Sequence, residues 1–180
     1  MSTGYKILLA TTFIANFADN LIGPFYSIFV QKIGGGILEM GYSATLYSVA
    51  VGVFIILVGR VSDRLNKKWI TVFGLFLAAV GNFGYLFISH PYQLFILQII
   101  FAVSGACLAA PFSTLFTKYI QKEKEGFQWA LEGGGTRIII GLSVLMGTFI
   151  VHYSGFSTLF ILMGTLSLAA AGIQMRLKLI

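Results

Sequence analysis

Six long apolar segments, separated by short polar connections, constrain this chain more than any other feature of its sequence. A helix needs about 20 residues to cross the roughly 30 Å hydrocarbon core of a bilayer, and each segment is of that order. The segments cover residues 7–30, 42–58, 69–89, 92–115, 127–151 and 157–175. They predict an all-α membrane protein, organised over residues 1–180 as a single six-helix transmembrane bundle.

The composition excludes an ordinary soluble domain. The chain is 57% hydrophobic and only 10% charged, whereas a soluble domain has about a quarter of its residues charged. The net charge of +6 is distributed among the connections. A nucleic-acid-binding protein would gather that charge on one face, so we expect no nucleic acid and instead contact with anionic lipid. Cys107, His90 and His152 stand apart from one another, so we expect no disulfide, no metal site and no cofactor.

The basic connection at residues 59–68 sets the orientation of the bundle. It holds four of the twelve Lys and Arg residues, and short basic connections lie in the cytoplasm. Both termini are then cytoplasmic, in an integral multi-pass protein of the plasma or inner membrane. Only Lys32 falls outside, and six other basic residues fall inside: Lys6, Lys118, Lys122, Lys124, Arg176 and Lys178. The first segment is expected to be retained, because no small-residue cleavage motif follows it.

The same connection resembles the loop between the second and third helices of major facilitator superfamily transporters. Gly59, Ser62, Asp63, Arg64, Lys67 and Lys68 all fall in register with that pattern. Asn66 stands where the family prefers Gly, a mild departure because Asn tolerates left-handed backbone. A simple basic stop signal would explain the charges but not the spacing of Gly59 and Asp63. The resemblance implies a cytoplasmic gating loop formed by Gly59, Asp63, Arg64, Lys67 and Lys68.

The resemblance also implies a fold and a function. The chain corresponds to the N-terminal six-helix half of such a transporter, built as a 3+3 inverted repeat. Pro24 and Pro111, each late in its segment, weakly echo that repeat. The implied activity is secondary active transport of a small solute by alternating access, and the chain is not an enzyme. Because one half closes no cavity alone, we expect a homodimer or a second six-helix half as partner.

Three ionisable residues lie within the apolar segments, where a charge is costly and marks a functional candidate. They are Asp19, Glu132 and Arg137. At about 1.5 Å per residue, Asp19 lies about 18 Å and Arg137 about 15 Å from the inner ends of their segments. This similar depth predicts that the two pair or share a cavity, with a buried structural ion pair as the alternative.

The predicted substrate or proton cavity follows from the polar stripe on the first segment, which lines the central cavity in the family. It comprises Asn16, Asp19, Asn20, Tyr26 and Arg137. Protons are candidate partners, although Gln98 stands where many proton-coupled members carry Arg, and the fifth segment lacks a glycine-proline motif.

Glu132 is shallower, and we expect it near the inner headgroups or in a network with Asp63 and Arg64. The glycines that follow it, at residues 133–135, 141 and 147, favour a smooth face for close helix packing. A broken helix that binds an ion is the alternative.

Two other functions stay open at this point. The chain could be a non-functional truncated fragment of a transporter. It could also be an intramembrane serine hydrolase, since Val103, Ser104 and Gly105 resemble the serine motif of rhomboid proteases, but no histidine lies in the sixth segment to act as base. The substrate, the direction of transport and the coupling ion are not determined by the sequence.

Overall fold

The computed structural model describes residues 2–178, and within them it is all-helical, without strands. Five helical stretches are long and apolar enough to cross a membrane. The α-helices are α1 (Thr3–Asn20), α2 (Tyr26–Lys32), α3 (Ile37–Ser62), α4 (Lys67–Gly84), α5 (Gln93–Tyr119) and α6 (Glu125–Met175), with short 3-10 turns at Gly23–Phe25 and Tyr85–Phe87.

The 51-residue helix α6 divides into two parts at Gly155, which has non-helical backbone with a φ of 79°. The first part runs parallel to α1, as two contacts in the same order show: Gly135 packs on Phe13, and Gly147 packs on Leu21. A positive φ is readily adopted only by glycine, so Gly155 allows the chain to turn sharply at this point.

The second part of α6 runs antiparallel to α4. Gly164 packs on Phe83, and Gln174 Nε2 donates to Thr71 Oγ1 at 3.0 Å. Helix α4 is itself parallel to α1, since Leu75 packs near Ile14 and Asn82 donates to Asp19. The two parts of α6 therefore run in opposite directions. The chain therefore reverses at Gly155.

The packing order of the helices leaves one face of the bundle uncovered. The main contacts join α1 to α6, α4 to both α5 and α6, and α3 to α5. Helix α3 consequently exposes much of its surface, including Val49 at 62% and Ile56 at 70%. Lipid or another protein must cover these apolar side chains.

Two aromatic clusters consolidate the two ends of the bundle. In one, the ring of Phe160 lies 4.9 Å from the rings of both Phe29 and Tyr85. In the other, the rings of Tyr5 and Phe116 are 5.3 Å apart. Both clusters are buried, and aromatic packing of this kind contributes beyond simple area burial.

Hydrogen bonds also tie together the helix ends near the two termini, at what we name the inner end. Tyr5 Oη donates to the Gln128 carbonyl at 3.0 Å, and Ser2 Oγ donates to the Tyr119 carbonyl at 3.1 Å. The Tyr119 hydroxyl donates in turn to the Lys178 carbonyl. These contacts join the start of α1, the end of α5, the start of α6 and the segment after α6.

The basic connection at residues 59–68 is a tight turn between α3 and α4. Ser62 Oγ donates to the Gly59 carbonyl at 2.8 Å, and Lys67 Nζ donates to the Ser62 carbonyl at 3.0 Å. Asp63 and Arg64 are exposed. Asn66 has a φ of −72° and caps α4. Its backbone is therefore not left-handed, and Asn replaces the Gly of the family pattern here as a helix cap.

Replacing Asn66 with alanine is expected to destabilise the start of α4. The Asn66 side chain accepts a hydrogen bond from the Lys68 backbone N–H at 3.1 Å, and losing such a cap costs about 0.5–2 kcal/mol. Thermal unfolding in detergent should show a lower midpoint for Asn66→Ala. Asn66→Ser, which retains a capping oxygen, should stay close to the wild type, and equal loss in both variants would contradict the capping role.

The helices differ from the predicted apolar segments at several ends. Helix α3 extends beyond residues 42–58 at both ends, because the helix continues through the charged residues Glu39 and Arg60, beyond the ends of the predicted apolar segment. The segment 7–30 is not one continuous α-helix, since it is interrupted before Pro24, at the start of a 3-10 turn. The glycines at residues 133–135 do not break α6, so the broken-helix alternative is wrong there.

Candidate functional site

Asp19 lies near the end of α1, and its side chain contacts α4. Its carboxylate Oδ1 accepts a hydrogen bond from Asn82 Nδ2 at 3.4 Å, and the same amide nitrogen donates to Ser167 Oγ at 3.0 Å. Asn82 and Ser167 are each only 1% exposed, whereas Asp19 is exposed. Two buried side chains, from α4 and α6, thus orient a carboxylate that the chain itself leaves open.

A cavity of about 230 Å³ surrounds this carboxylate, and we name it the Asp19 cavity. Among the described residues that line it, Asp19 is the one carboxylic acid, and the other side chains are aromatic, aliphatic, amide, hydroxyl or small. They are Ile22, Tyr47, Ala78, Asn82, Tyr85, Gln98, Phe101, Ser104, Gly105, Leu108 and Met163. A mainly apolar wall with a few convergent polar groups is typical of a small-molecule site.

A second hydrogen-bonded chain borders the Asp19 cavity. Gln98 Nε2 donates to Tyr26 Oη at 3.1 Å, and Tyr26 Oη lies 3.0 Å from Ser43 Oγ. These bonds link α5, α2 and α3. Gln98, which marked a departure from proton-coupled relatives, is therefore a wall residue whose amide holds Tyr26 in place.

A second cavity, of about 280 Å³, contains Glu132, and we name it the Glu132 cavity. Its lining comes from α1, α4, α5 and α6, and consists of Thr11, Thr12, Ala15, Asn16, Leu75, Gly105, Leu108, Ala109, Phe112 and Glu132. Gly105 and Leu108 line both cavities. The structure therefore places Glu132 in a cavity wall, whereas its network with Asp63 and Arg64 stays a prediction.

The sequence-predicted site residues are divided between several positions. Asp19 lines one cavity, Asn16 lines the other, and Tyr26 lies in the bordering hydrogen-bonded chain. Asn20 Nδ2 donates to the Asn16 carbonyl at 2.8 Å, so its amide serves the backbone of α1. Arg137 is exposed on α6 and lines neither cavity, so its role in the cavity stays a prediction without structural support.

The hydrogen-bond partner of Asp19 is an amide rather than Arg137. Equal depth in two helices does not fix which way each side chain faces. Sequence reasoning missed Asn82, which donates to Asp19, and Ser167, which accepts from Asn82, because single uncharged polar residues hardly change the hydropathy of an apolar helix.

Ser104 is occupied by a structural hydrogen bond. Its Oγ donates to the Gly74 carbonyl at 2.7 Å, and its side chain is buried. His152 is exposed next to Tyr153, on whose ring it packs. A nucleophilic serine needs a base within hydrogen-bond reach, and the wall that Ser104 shares with Asp19 includes no histidine among the described residues.

Replacing Asn82 with leucine is expected to remove the hydrogen bond to the Asp19 carboxylate without leaving a cavity in the core. The leucine side chain keeps a similar volume but removes both donated hydrogen bonds, which costs about 1–3 kcal/mol where a charged partner loses its donor. The unfolding midpoint in detergent should fall. Ser167→Ala is the matched control with a smaller expected loss, because Asn82 can still donate to Asp19; equal effects in both variants would contradict the orienting role.

Comparison with known proteins assigns the family. A family model described as Major Facilitator Superfamily matches residues 8–178. The chain is 23% identical over 137 residues to "Uncharacterized MFS-type transporter YitZ" of Bacillus subtilis (strain 168), across 76% of this chain and 84% of that relative. It is 31% identical over 138 residues to "Uncharacterized transporter BU466" of Buchnera aphidicola subsp. Acyrthosiphon pisum (strain APS), across 75% of this chain and 34% of that relative.

A further relative carries a more specific name. The chain is 28% identical over 108 residues to "Multidrug resistance protein MdtG" of Serratia proteamaculans (strain 568), across 57% of this chain and 26% of that relative. The chain thus matches about a third or less of the length of the Buchnera and Serratia proteins. With the family model covering nearly the whole sequence, and apolar helices long enough to cross a membrane, the chain belongs to the Major Facilitator Superfamily of membrane transport proteins.

Proposed function

We propose that this protein carries a small polar or cationic solute across the plasma or inner membrane by alternating access, as one six-crossing half of a transporter. The observation that carries this proposal is the exposed Asp19 carboxylate, held by Asn82 in a cavity of about 230 Å³. Charged groups at this depth are retained mainly for function. A purely structural ion pair would instead need a cationic partner at Asp19.

The geometry of α6 supports six membrane crossings. Each part of α6 has about the length that a membrane crossing needs, and the reversal at Gly155 puts the two parts side by side as antiparallel neighbours in the bundle. With the basic turn after α3 in the cytoplasm, α1, α4 and the first part of α6 run outward. Both termini are then cytoplasmic, and the inner end of the bundle faces the cell interior.

A second copy or a partner half would close the Asp19 cavity. Exposed glycines lie on the two helices at the borders of the bundle, and a side-chain carbon added at any of them would have no neighbour within 4 Å: Gly41, Gly52, Gly133, Gly134 and Gly141. Glycines on a helix surface allow another helix to approach closely. Combined with an exposed carboxylate, this surface favours a protein partner over lipid alone.

The substrate range can be narrowed by chemistry. The Asp19 cavity combines one carboxylate with the aromatic side chains of Tyr47, Tyr85 and Phe101. Carboxylates attract cations, and aromatic faces add to that attraction. The multidrug name of the Serratia relative agrees with an aromatic wall that accepts amphiphilic solutes. Exchange of a proton for the solute at Asp19 is part of this proposal.

Crosslinking and counterflow test the proposal together. In a Cys107→Ala background, Ser48→Cys on α3 and Ile138→Cys on α6 lie at similar distances from the inner helix ends. We expect disulfide crosslinking between copies, together with counterflow of labelled amino acids, polyamines or quaternary ammonium compounds in proteoliposomes. A strictly monomeric protein that transports would refute the need for a second half, and a crosslinked protein that transports none of the panel would refute the substrate class.

A further inference from the structure

We propose that the Glu132 cavity is a second cation-binding site, which holds the positively charged nitrogen of a solute at a position distinct from Asp19. This inference rests on the proposed transport function and deepens it, because it makes organic cations the substrate class. The argument uses four features of the cavity: its charge, an unpartnered hydroxyl, the arrangement of acceptors and its continuity with the Asp19 cavity.

The charge of the cavity is negative. Glu132 is the one ionisable residue among its ten lining residues, and no Lys, Arg or His contributes to the wall. The polar remainder consists of the hydroxyls of Thr11 and Thr12 and the amide of Asn16. A carboxylate in a confined site with low-dielectric walls attracts cations and repels anions.

The hydroxyl of Thr11 lacks a partner inside the described part of the chain. Thr11 is only 3% exposed, and its Oγ1 is buried without a hydrogen bond. Helical threonines elsewhere, such as Thr114 and Thr148, donate to the carbonyl four residues earlier, but Thr11 does not. A buried unpaired hydroxyl is costly, and Thr11 lines the Glu132 cavity, so rotation of its side chain would offer this oxygen to a bound group.

The other polar groups leave acceptors available. Asn16 Nδ2 donates to the Thr12 carbonyl at 2.9 Å, so the amide oxygen of Asn16 remains as an acceptor. Together with the Glu132 carboxylate, the lining residues contribute oxygen acceptors and no cationic group. A volume of about 280 Å³ exceeds that of a bare metal ion and accommodates a small organic ammonium group.

The two cavities adjoin one another across α5, since Gly105 and Leu108 line both. Gly105 presents no side chain, and Tyr47 Oη lies 3.4 Å from where its Cβ would be. In this proposal, a cation released from one carboxylate passes α5 at Gly105 and Leu108 and then reaches the other carboxylate. Of the two cavities, the Glu132 cavity lies nearer the inner end of the bundle.

Charged thiol reagents test the site without relying on transport. In the Cys107→Ala background, Thr12→Cys places a thiol in the wall of the Glu132 cavity. In inside-out membrane vesicles, a trimethylammonium methanethiosulfonate should react faster than its sulfonate counterpart by at least about tenfold, relative to the same reagents on a free thiol. Adding Glu132→Gln should bring the ratio close to the free-thiol value, whereas Glu125→Gln, at an exposed carboxylate, should leave it unchanged.

Choline identifies the ligand chemistry. Choline should slow modification of Thr12→Cys, and its neutral isostere 3,3-dimethyl-1-butanol should not. Adding Thr11→Val should weaken protection by choline about threefold or more, as expected for a lost hydrogen bond. It should not lower thermal stability, because that hydroxyl has no partner among the described residues.

Several results would overturn the proposal: no modification of the thiol, a reagent ratio that does not depend on Glu132, or equal protection by choline and its isostere. Adding Asp19→Asn separates this inference from the proposed function. Normal transport by that variant would refute the role of Asp19, while the Glu132-dependent reagent ratio would still report on the second site.

Discussion

Replacing Asp19 with asparagine is expected to lower proton-driven solute accumulation in proteoliposomes by at least about tenfold, which corresponds to 1.4 kcal/mol or more. Asparagine nearly preserves the size of the side chain but removes its charge and its ability to exchange a proton. The Asn82 amide can still donate to the new side chain. Membrane insertion and thermal stability should therefore stay close to those of the wild type.

The controls for Asp19→Asn separate charge from shape. Glu125→Gln removes a carboxylate that is exposed at the start of α6 and should transport normally. Asp19→Glu keeps the charge and should recover part of the activity. If Asp19→Asn accumulates solute at the wild-type rate, Asp19 has no role in the cavity.

Replacing Gly147 with alanine is expected to give the largest loss of stability of any single methyl addition in α6. A Cβ at residue 147 would overlap the backbone carbonyl of Leu21, and backbone cannot move aside as a flexible side chain can. Overpacking of this kind costs about 1–3 kcal/mol, occasionally more. The contact between α1 and α6 should open, with a lower unfolding midpoint in detergent and less protein in the membrane.

Gly141→Ala is the matched control for this change. Gly141 lies in the same helix, and a Cβ there would have no neighbour within 4 Å. Alanine is the better helix former by about 1 kcal/mol, so the control should be as stable as the wild type or more stable. Equal destabilisation of both variants would show that α1 does not pack on Gly147 as described.

The sequence was sufficient for the helical class and for the family, because both depend on patterns that a single chain displays. The apolar segments reflect the thickness of the membrane, and the basic turn at residues 59–68 has a distinctive spacing. The reversal at Gly155 was also foreseeable, since the predicted connection between the last two segments contains it.

The side-chain arrangement was less predictable. Depth along a helix follows from residue counting, but rotation about the helix axis depends on packing. Arg137 therefore matched Asp19 in depth, yet it is exposed on α6, and Asn82 is the partner of Asp19. The glycines of α6 show the same limit: Gly135 and Gly147 pack on α1, while Gly133, Gly134 and Gly141 are open.

The hydrogen bonds from Tyr5 to Gln128, from Ser2 to Tyr119 and from Tyr119 to Lys178 have a consequence for how such a protein changes state. They bind helix ends that are far apart in the sequence, so bending α1 away from α5 and α6 at the inner end would break several bonds at once. For the proposed alternating access, we therefore expect the bundle to rotate as a unit. Asp19 should then become accessible from each side of the membrane in turn as the bundle rocks against its proposed partner half. The distances between Tyr5, Tyr119 and Gln128 should stay constant throughout the cycle.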